Sequence, residues 1–259
     1  MNPVRKSFLL YLLMAGLVGI NLAVVSEFPF STYIIYIIII LVVLRINEGI
    51  FWGNKFKHGL KLGAVLISTV FMLELIAGWV VVTGFAIDGN LLLFSLFFHA
   101  LVAFSEEISF RGYILKNLIG ERGLKYGIIV NSLMFSALHV PSFGFYKIDI
   151  QNGIVAFIVI VLTSIIISIV YIEYGLLSAT GFHLAWNFLQ YNVFTLSKMH
   201  PGILEIESAA GLDLLTGGIY GPEAGIAGLL VVLTALVVIL IRAPKYAHQL
   251  LPECQILRK

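Results

Sequence analysis

Six ionisable or amide residues interrupt long apolar stretches of this sequence. They are Glu106, Glu107, Arg111, His139, His183 and Asn187. A charged side chain at the centre of a bilayer costs about 2.5–3.5 kcal/mol on insertion scales, so it needs a partner, a water-filled cavity or a function. Carboxylates and imidazoles can move protons, and an amide can donate hydrogen bonds. The set therefore suits hydrolysis by an activated water molecule.

The two adjacent acids are expected to have different partners. On a helix, Glu107 and Arg111 are four residues apart and can form an ion pair. Adjacent helical residues point about 100° apart, so Glu106 faces elsewhere. We interpret Glu106 as a candidate base, because burial disfavours its charged form and so favours proton uptake. The alternative is a structural ion pair beside a neutral carboxyl group.

Two further pairs of residues share helix faces, because their members are four positions apart: Phe135 with His139, and His183 with Asn187. Taken alone, His139 is typical of a histidine packed in a core. The pair of His183 and Asn187 is typical of residues that form hydrogen bonds between helices. Their depth favours a joint function. Counting from the predicted helix ends places Glu106 and these polar residues about 10–20 Å deep, so they can meet near mid-membrane.

Water attack on an amide is the reaction that this set predicts. Glu106, with His139 nearby, would orient the water and accept its proton. His183 and Asn187 would donate hydrogen bonds to the oxyanion. A zinc ion bound by Glu106, His139 and His183 is an alternative, because three protein ligands and a water make a catalytic zinc site. We favour the reaction without a metal. The sequence contains no Gly-x-Ser-x-Gly or His-Glu-x-x-His segment.

The composition indicates that the helices carrying these residues lie in a membrane. Hydrophobic residues make up 60% of the 259 and charged residues 12%, against about 25% charged in soluble domains. Too little charge remains to cover a water-facing surface. The same numbers exclude disorder, which requires low hydrophobicity and high net charge. The single cysteine, Cys254, excludes an internal disulfide framework. A net charge of +2 gives no indication of nucleic-acid binding.

Apolar runs predict an all-α polytopic membrane protein with about eight transmembrane helices. The predicted spans are residues 8–25, 30–44, 62–87, 91–118, 126–140, 154–171, 176–196 and 223–241. Both termini then lie on the side that collects most Lys and Arg residues, which is therefore cytoplasmic. The opposite side collects acids, including Glu27 and Glu223, and Pro141 ends the short fifth span. We expect one domain over residues 1–259, with a motif core at about 91–196.

Three motifs resemble those of the CAAX protease and bacteriocin-processing (CPBP) family, also called the Abi family. The family carries Glu-Glu-x-x-x-Arg, Phe-x-x-x-His and His-x-x-x-Asn/Asp in this order. The matching residues are Glu106-Glu107 to Arg111, Phe135 to His139, and His183 to Asn187. Residues 215–225 also resemble the corresponding segment of bacterial members.

The resemblance implies an intramembrane endopeptidase of glutamate type, related to the type II CAAX prenyl endopeptidases and working without a cofactor. The implied catalytic residues are Glu106, His139, His183 and Asn187, and the supporting residues are Glu107, Arg111 and Phe135. The expected partners are a peptide or protein-tail substrate, with or without a lipid group, and membrane lipid, but no nucleic acid. The expected location is a bacterial plasma membrane. A non-catalytic binder in bacteriocin self-immunity or peptide handling is the alternative.

Overall fold

The computed structural model describes residues 2–25, 28, 30–47, 49–196 and 202–242. Glu27 and Cys254 lie outside the described residues. Within those ranges the chain forms eight long helices and a short two-stranded sheet. The helices are α1 (Pro3–Val24), α2 (Ser31–Ile46), α3 (Phe56–Ile76), α4 (Gly89–Arg122), α5 (Leu124–Phe145), α6 (Ile150–Tyr174), α7 (Leu176–Asn192) and α8 (Ile226–Arg242).

Five of these helices are long and apolar enough to cross a membrane: α1, α3, α4, α5 and α6. Two others, α2 and α8, are apolar but shorter. The sequence of α7 is less apolar because it carries the polar residues of the predicted site. The described part of the chain is therefore an all-α membrane protein, as its composition predicts.

The third predicted span was wrong at its C-terminal end. Helix α3 stops at Ile76, and Gly78 follows with φ +70°, a left-handed conformation that commonly ends helices. The next residues, Val80–Phe85, form strand β1, which pairs antiparallel with β2 (Leu204–Ser208). Their β-branched side chains favour a strand although they are as apolar as a helix would require.

Two other predicted helix ends were also wrong. Pro141 lies inside α5, which continues to Phe145. Proline removes one backbone donor, yet the helix continues past it, and the next residue, Ser142, donates from Oγ to the carbonyl oxygen of His139. Glu223, the predicted start of the last span, lies in a single 3₁₀ turn (Pro222–Ala224) before α8 begins at Ile226.

Helices α3 and α7 form the most extensive helix contact in the described structure. Gly59 and Gly63 permit it, because a Cβ atom at either position would overlap backbone atoms of Ser178 or Phe182. Small residues allow helices to approach closely in this way. Trp186 and Phe182, both on α7, are among the largest fully buried side chains. The packing therefore fixes the position of α7 in the core.

Candidate active site

The two adjacent acids lie where the geometry of α4 changes. The helix is regular up to Glu107 and continues from Ile108 to Leu115 as a π-helix. Every residue of this π-helical segment is buried, and so are Glu106 and Glu107. π-Helical turns are rare and frequently occur at functional sites. The wider turn follows the two acids directly and carries Arg111.

The predicted ion pair between Glu107 and Arg111 is confirmed. Arg111 Nη1 donates to Glu107 Oε1 at 3.0 Å, and both side chains are fully buried. Arg111 Nη2 also donates to Ser164 Oγ at 2.9 Å on α6. The guanidinium carbon lies 4.6 Å from the centre of the Phe135 ring, within the range of a cation–π interaction. Arg111 therefore joins α4 to α5 and α6.

Both acids approach the same imidazole ring from opposite sides. Glu107 Oε1 lies 2.8 Å from His183 Nδ1, and Glu106 Oε2 lies 3.8 Å from His183 Nε2. Glu107 Oε1 already accepts a hydrogen bond from Arg111, as a carboxylate does, so Nδ1 of His183 is the donor. The spacing in the sequence predicted a partner for Glu107 on its own helix, Arg111. Its second partner, His183 on α7, was not predicted.

The two oxygens of Glu106 have different surroundings. Oε1 accepts a hydrogen bond from the hydroxyl of Tyr36 on α2 at 3.3 Å. Oε2 is buried and has no hydrogen-bond partner among the described residues. Tyr36 lies in the isoleucine-rich helix α2, and its hydrogen bond to Glu106 was not predicted from the sequence.

His139 is linked to the cluster through Phe135. Its Nδ1 lies 2.8 Å from the Phe135 carbonyl oxygen, which can only accept, so Nδ1 carries the hydrogen and Nε2 of the neutral ring holds the lone pair. The Phe135 ring is centred 4.8 Å from the ring of His139 and 6.1 Å from that of His183. It also packs edge-on against Phe110 at 4.9 Å. Phe135 therefore lies between the two histidines.

Asn187 lies one turn beyond His183 on α7 and is partly buried. The hydrogen bonds of the described cluster do not include it. His99 is buried and stacks on Tyr191 of α7, with ring centres 5.4 Å apart. Glu74 is buried in α3, and its Oε1 has no hydrogen-bond partner among the described residues.

One acid joins the site from outside the predicted set. Glu223 Oε1 accepts a hydrogen bond from Trp186 Nε1 at 3.0 Å, and Trp186 lies three residues after His183 on α7. From the sequence, Glu223 was predicted at the start of the last span, on the side of the membrane opposite the Lys and Arg residues. No residue spacing in the glycine-rich segment around Glu223 indicates that this acid lies near the histidines.

The side chains do not fit a metal site in this arrangement. No group of three or more His, Cys, Asp or Glu side chains that could hold a metal ion occurs within the described residues. Zinc bound by Glu106, His139 and His183 would therefore require these side chains to move.

Fold and site together define an all-α membrane protein with a buried glutamate and histidine cluster. Residues 88–189 match the family described as type II CAAX prenyl endopeptidase, Rce1-like. This match confirms the resemblance to the CAAX protease family that the three motifs predict. The family is one of peptidases, and the matched segment includes all three motifs but less than half of the chain. Neither a curated protein nor a solved structure matches the chain.

Proposed function

We propose that this protein is an intramembrane endopeptidase of glutamate type, which hydrolyses a peptide bond near the membrane. The observation that supports this most strongly is the pair formed by Glu106 Oε2 and His183 Nε2. These atoms are 3.8 Å apart, too far for a direct hydrogen bond. A water about 2.8 Å from both would have an angle of about 85° at its oxygen, a feasible hydrogen-bond geometry.

Glu106 is the base in this proposal. Its Oε2 takes a proton from the water as the water oxygen attacks the carbonyl carbon of the peptide bond. Tyr36 holds the other oxygen, so the free oxygen points to the reacting centre. His139 assists by accepting a hydrogen bond at Nε2, which the bond from Nδ1 to Phe135 leaves available. The products of this step are a tetrahedral oxyanion and a protonated acid.

His183 and Asn187 then bind the oxyanion in this mechanism. His183 donates Nδ1–H to Glu107, so it can donate from Nε2 only as an imidazolium. Glu107 provides the negative charge that such a cation requires. Asn187, one turn along α7, offers its amide N–H. Proton return from Glu106 or His139 to the leaving nitrogen breaks the C–N bond and releases an amine and a carboxylic acid.

The membrane arrangement is part of the same proposal. Eight helices, including the shorter α2, α7 and α8, cross the membrane as one domain over residues 1–259, with both termini on the cytoplasmic side. The excess of Lys and Arg on that side supports this orientation. The substrate is a peptide or protein tail, with or without a lipid group, reached from a bacterial plasma membrane. Membrane lipid surrounds the exposed apolar faces of α1, α2 and α4.

Replacement of Glu106 by glutamine tests the proposal. The variant keeps the size of the side chain but cannot accept the water proton, so cleavage is expected to fall by at least about 100-fold. Peptide termini are compared by mass spectrometry in cells with matched amounts of wild type and Glu106→Gln. Glu74→Gln is the control, because it makes the same change at a buried acid outside the cluster.

Termini that appear with the wild type and the control, and not with Glu106→Gln, would establish proteolysis and identify a substrate. Full cleavage by Glu106→Gln would refute the glutamate mechanism. No difference among the three proteins, together with the same cellular phenotype, would favour the non-catalytic binder.

A further inference from the structure

The segment between β2 and α8 packs against the helix face that carries His183. Trp186 lies three residues after His183 and so points to the same side of α7, where its Nε1 donates to Glu223 Oε1 at 3.0 Å. One turn further, Gln190 Nε2 donates to the Tyr220 carbonyl oxygen at 3.4 Å. Glu223 therefore reaches α7 beside a proposed catalytic histidine.

The same segment also contacts the turn of α5 that carries His139. Ser142 Oγ donates to the His139 carbonyl oxygen at 2.6 Å. The Tyr220 hydroxyl lies 3.2 Å from Ser142 Oγ and acts as the donor there, because the Ser142 proton is already used. The segment thus bridges the two helices that carry the histidines.

Glu223 is held in place by its neighbours in the chain. Asn152 Nδ2 on α6 donates at 2.8 Å to the carbonyl oxygens of both Asp213 and Ala224. Gly217 has φ +82°, and a Cβ atom there would overlap backbone atoms of Gly221. Such a closely packed turn accepts only glycine at this position. The carboxyl group is therefore fixed relative to the histidines.

The charge states of Glu223, His139 and His183 depend on one another. Burial raises the pKa of the Glu223 carboxyl, and positive charge on His139 and His183 opposes that shift. Hydrogen bonds from Trp186 and Gln190 oppose it as well. The interaction is reciprocal, so an ionised Glu223 favours the protonated imidazoles. The other titratable groups facing this region are Tyr146 after α5, Tyr191 on α7, Tyr220 in the segment and Glu106 on α4.

We propose that Glu223 is a positioning residue of the active site, whose carboxylate, held by Trp186, stabilises the protonated forms of His139 and His183. This inference rests on the proposed function. His139 carries the extra proton where Glu106 passes it on and His139 returns it to the leaving amine, and His183 carries one when it donates to the oxyanion. Glu223 touches neither the substrate nor the water in this scheme and acts through the histidines.

Replacing Glu223 by glutamine removes the charge and retains an oxygen that can accept from Trp186. We expect kcat to fall about tenfold with little change in KM, and the pH profile to move about one unit to lower pH. Glu223→Asp keeps the charge and is expected to restore most of the activity and the profile. Glu207→Gln makes the same chemical change at an exposed position of β2 and is expected to behave as wild type.

NMR titration of the histidine rings in detergent micelles separates this inference from the proposed function. If Glu223→Gln lowers the titration midpoints of His139 and His183 by about one unit, the coupling stands, even if the wild type cleaves nothing and the peptidase proposal fails. Unchanged midpoints would overturn the inference in either case. The inference would also be overturned if Glu223→Asp were as inactive and as unstable as Glu223→Gln, since the role of Glu223 would then be purely structural.

Discussion

Replacing Arg111 by methionine removes the positive charge beside Glu107 in the π-helical part of α4. Methionine fills similar space and keeps the apolar packing of the aliphatic chain. What it removes is the 3.0 Å ion pair to Glu107, the 2.9 Å hydrogen bond to Ser164 and the cation–π contact with Phe135. Glu107 is then left fully buried with His183 as its remaining hydrogen-bond partner in the described cluster.

The expected cost is large because both side chains of the pair are fully buried. Removing one partner of a buried ion pair typically destabilises a protein by about 3–5 kcal/mol, mainly through the unpaired charge that remains. The contact with Phe135 contributes up to about 2 kcal/mol of this, and the terms are not additive. Glu107→Gln leaves Arg111 without its carboxylate, and its cost should be of similar size.

The double variant Glu107→Gln/Arg111→Met distinguishes an ion pair from two independent contacts. It leaves neither charge unpaired, so it should be more stable than the sum of the single effects predicts, with a coupling energy of about 1–3 kcal/mol. Free energies of unfolding come from denaturant titrations in detergent micelles followed by circular dichroism. Strictly additive effects, or a loss below about 1 kcal/mol for Arg111→Met, would refute the reasoning.

Three further predictions concern other parts of the molecule. Tyr36→Phe removes the hydrogen bond to Glu106 and should lower kcat several-fold at unchanged protein abundance, whereas an unaltered kcat would exclude Tyr36 from the mechanism. Gly217→Ala should lower unfolding stability by at least about 1–3 kcal/mol, because its φ is +82° and its Cβ would overlap Gly221. Gly16→Ala, whose Cβ meets nothing within 4 Å, is the control and should not destabilise. Chelators should leave cleavage unchanged, and activity lost to a chelator and restored by zinc would favour the metal alternative.

The sequence was sufficient for the class of protein and for the contacts within one helix. Apolar runs located the helices, because the bilayer requires about 20 apolar residues per crossing. The ion pair between Glu107 and Arg111 followed from their spacing, since residues four apart meet on a helix. The end of α3 did not follow, because valines at 80–82 are equally apolar in a strand and a helix.

Contacts between distant parts of the chain could not be predicted from spacing. Tyr36 and Glu106 are 70 positions apart, and Trp186 and Glu223 are 37 apart. Neither pair shares a periodic pattern that a single sequence reveals. The π-helical segment Ile108–Leu115 is another feature that no residue spacing in the sequence predicts. These long-range contacts supply the partners of Glu106 and Trp186.

The hydrogen bonds around His183 restrict what the two adjacent acids can do. Arg111 and His183 both donate to Oε1 of Glu107, so Glu107 remains a carboxylate and is a poor candidate for proton transfer. Glu106 has no arginine in this position and keeps one oxygen without a protein hydrogen-bond partner in the described structure. In the proposed mechanism these adjacent and chemically identical residues have different functions, because Glu107 fixes the orientation of the imidazole and Glu106 exchanges a proton.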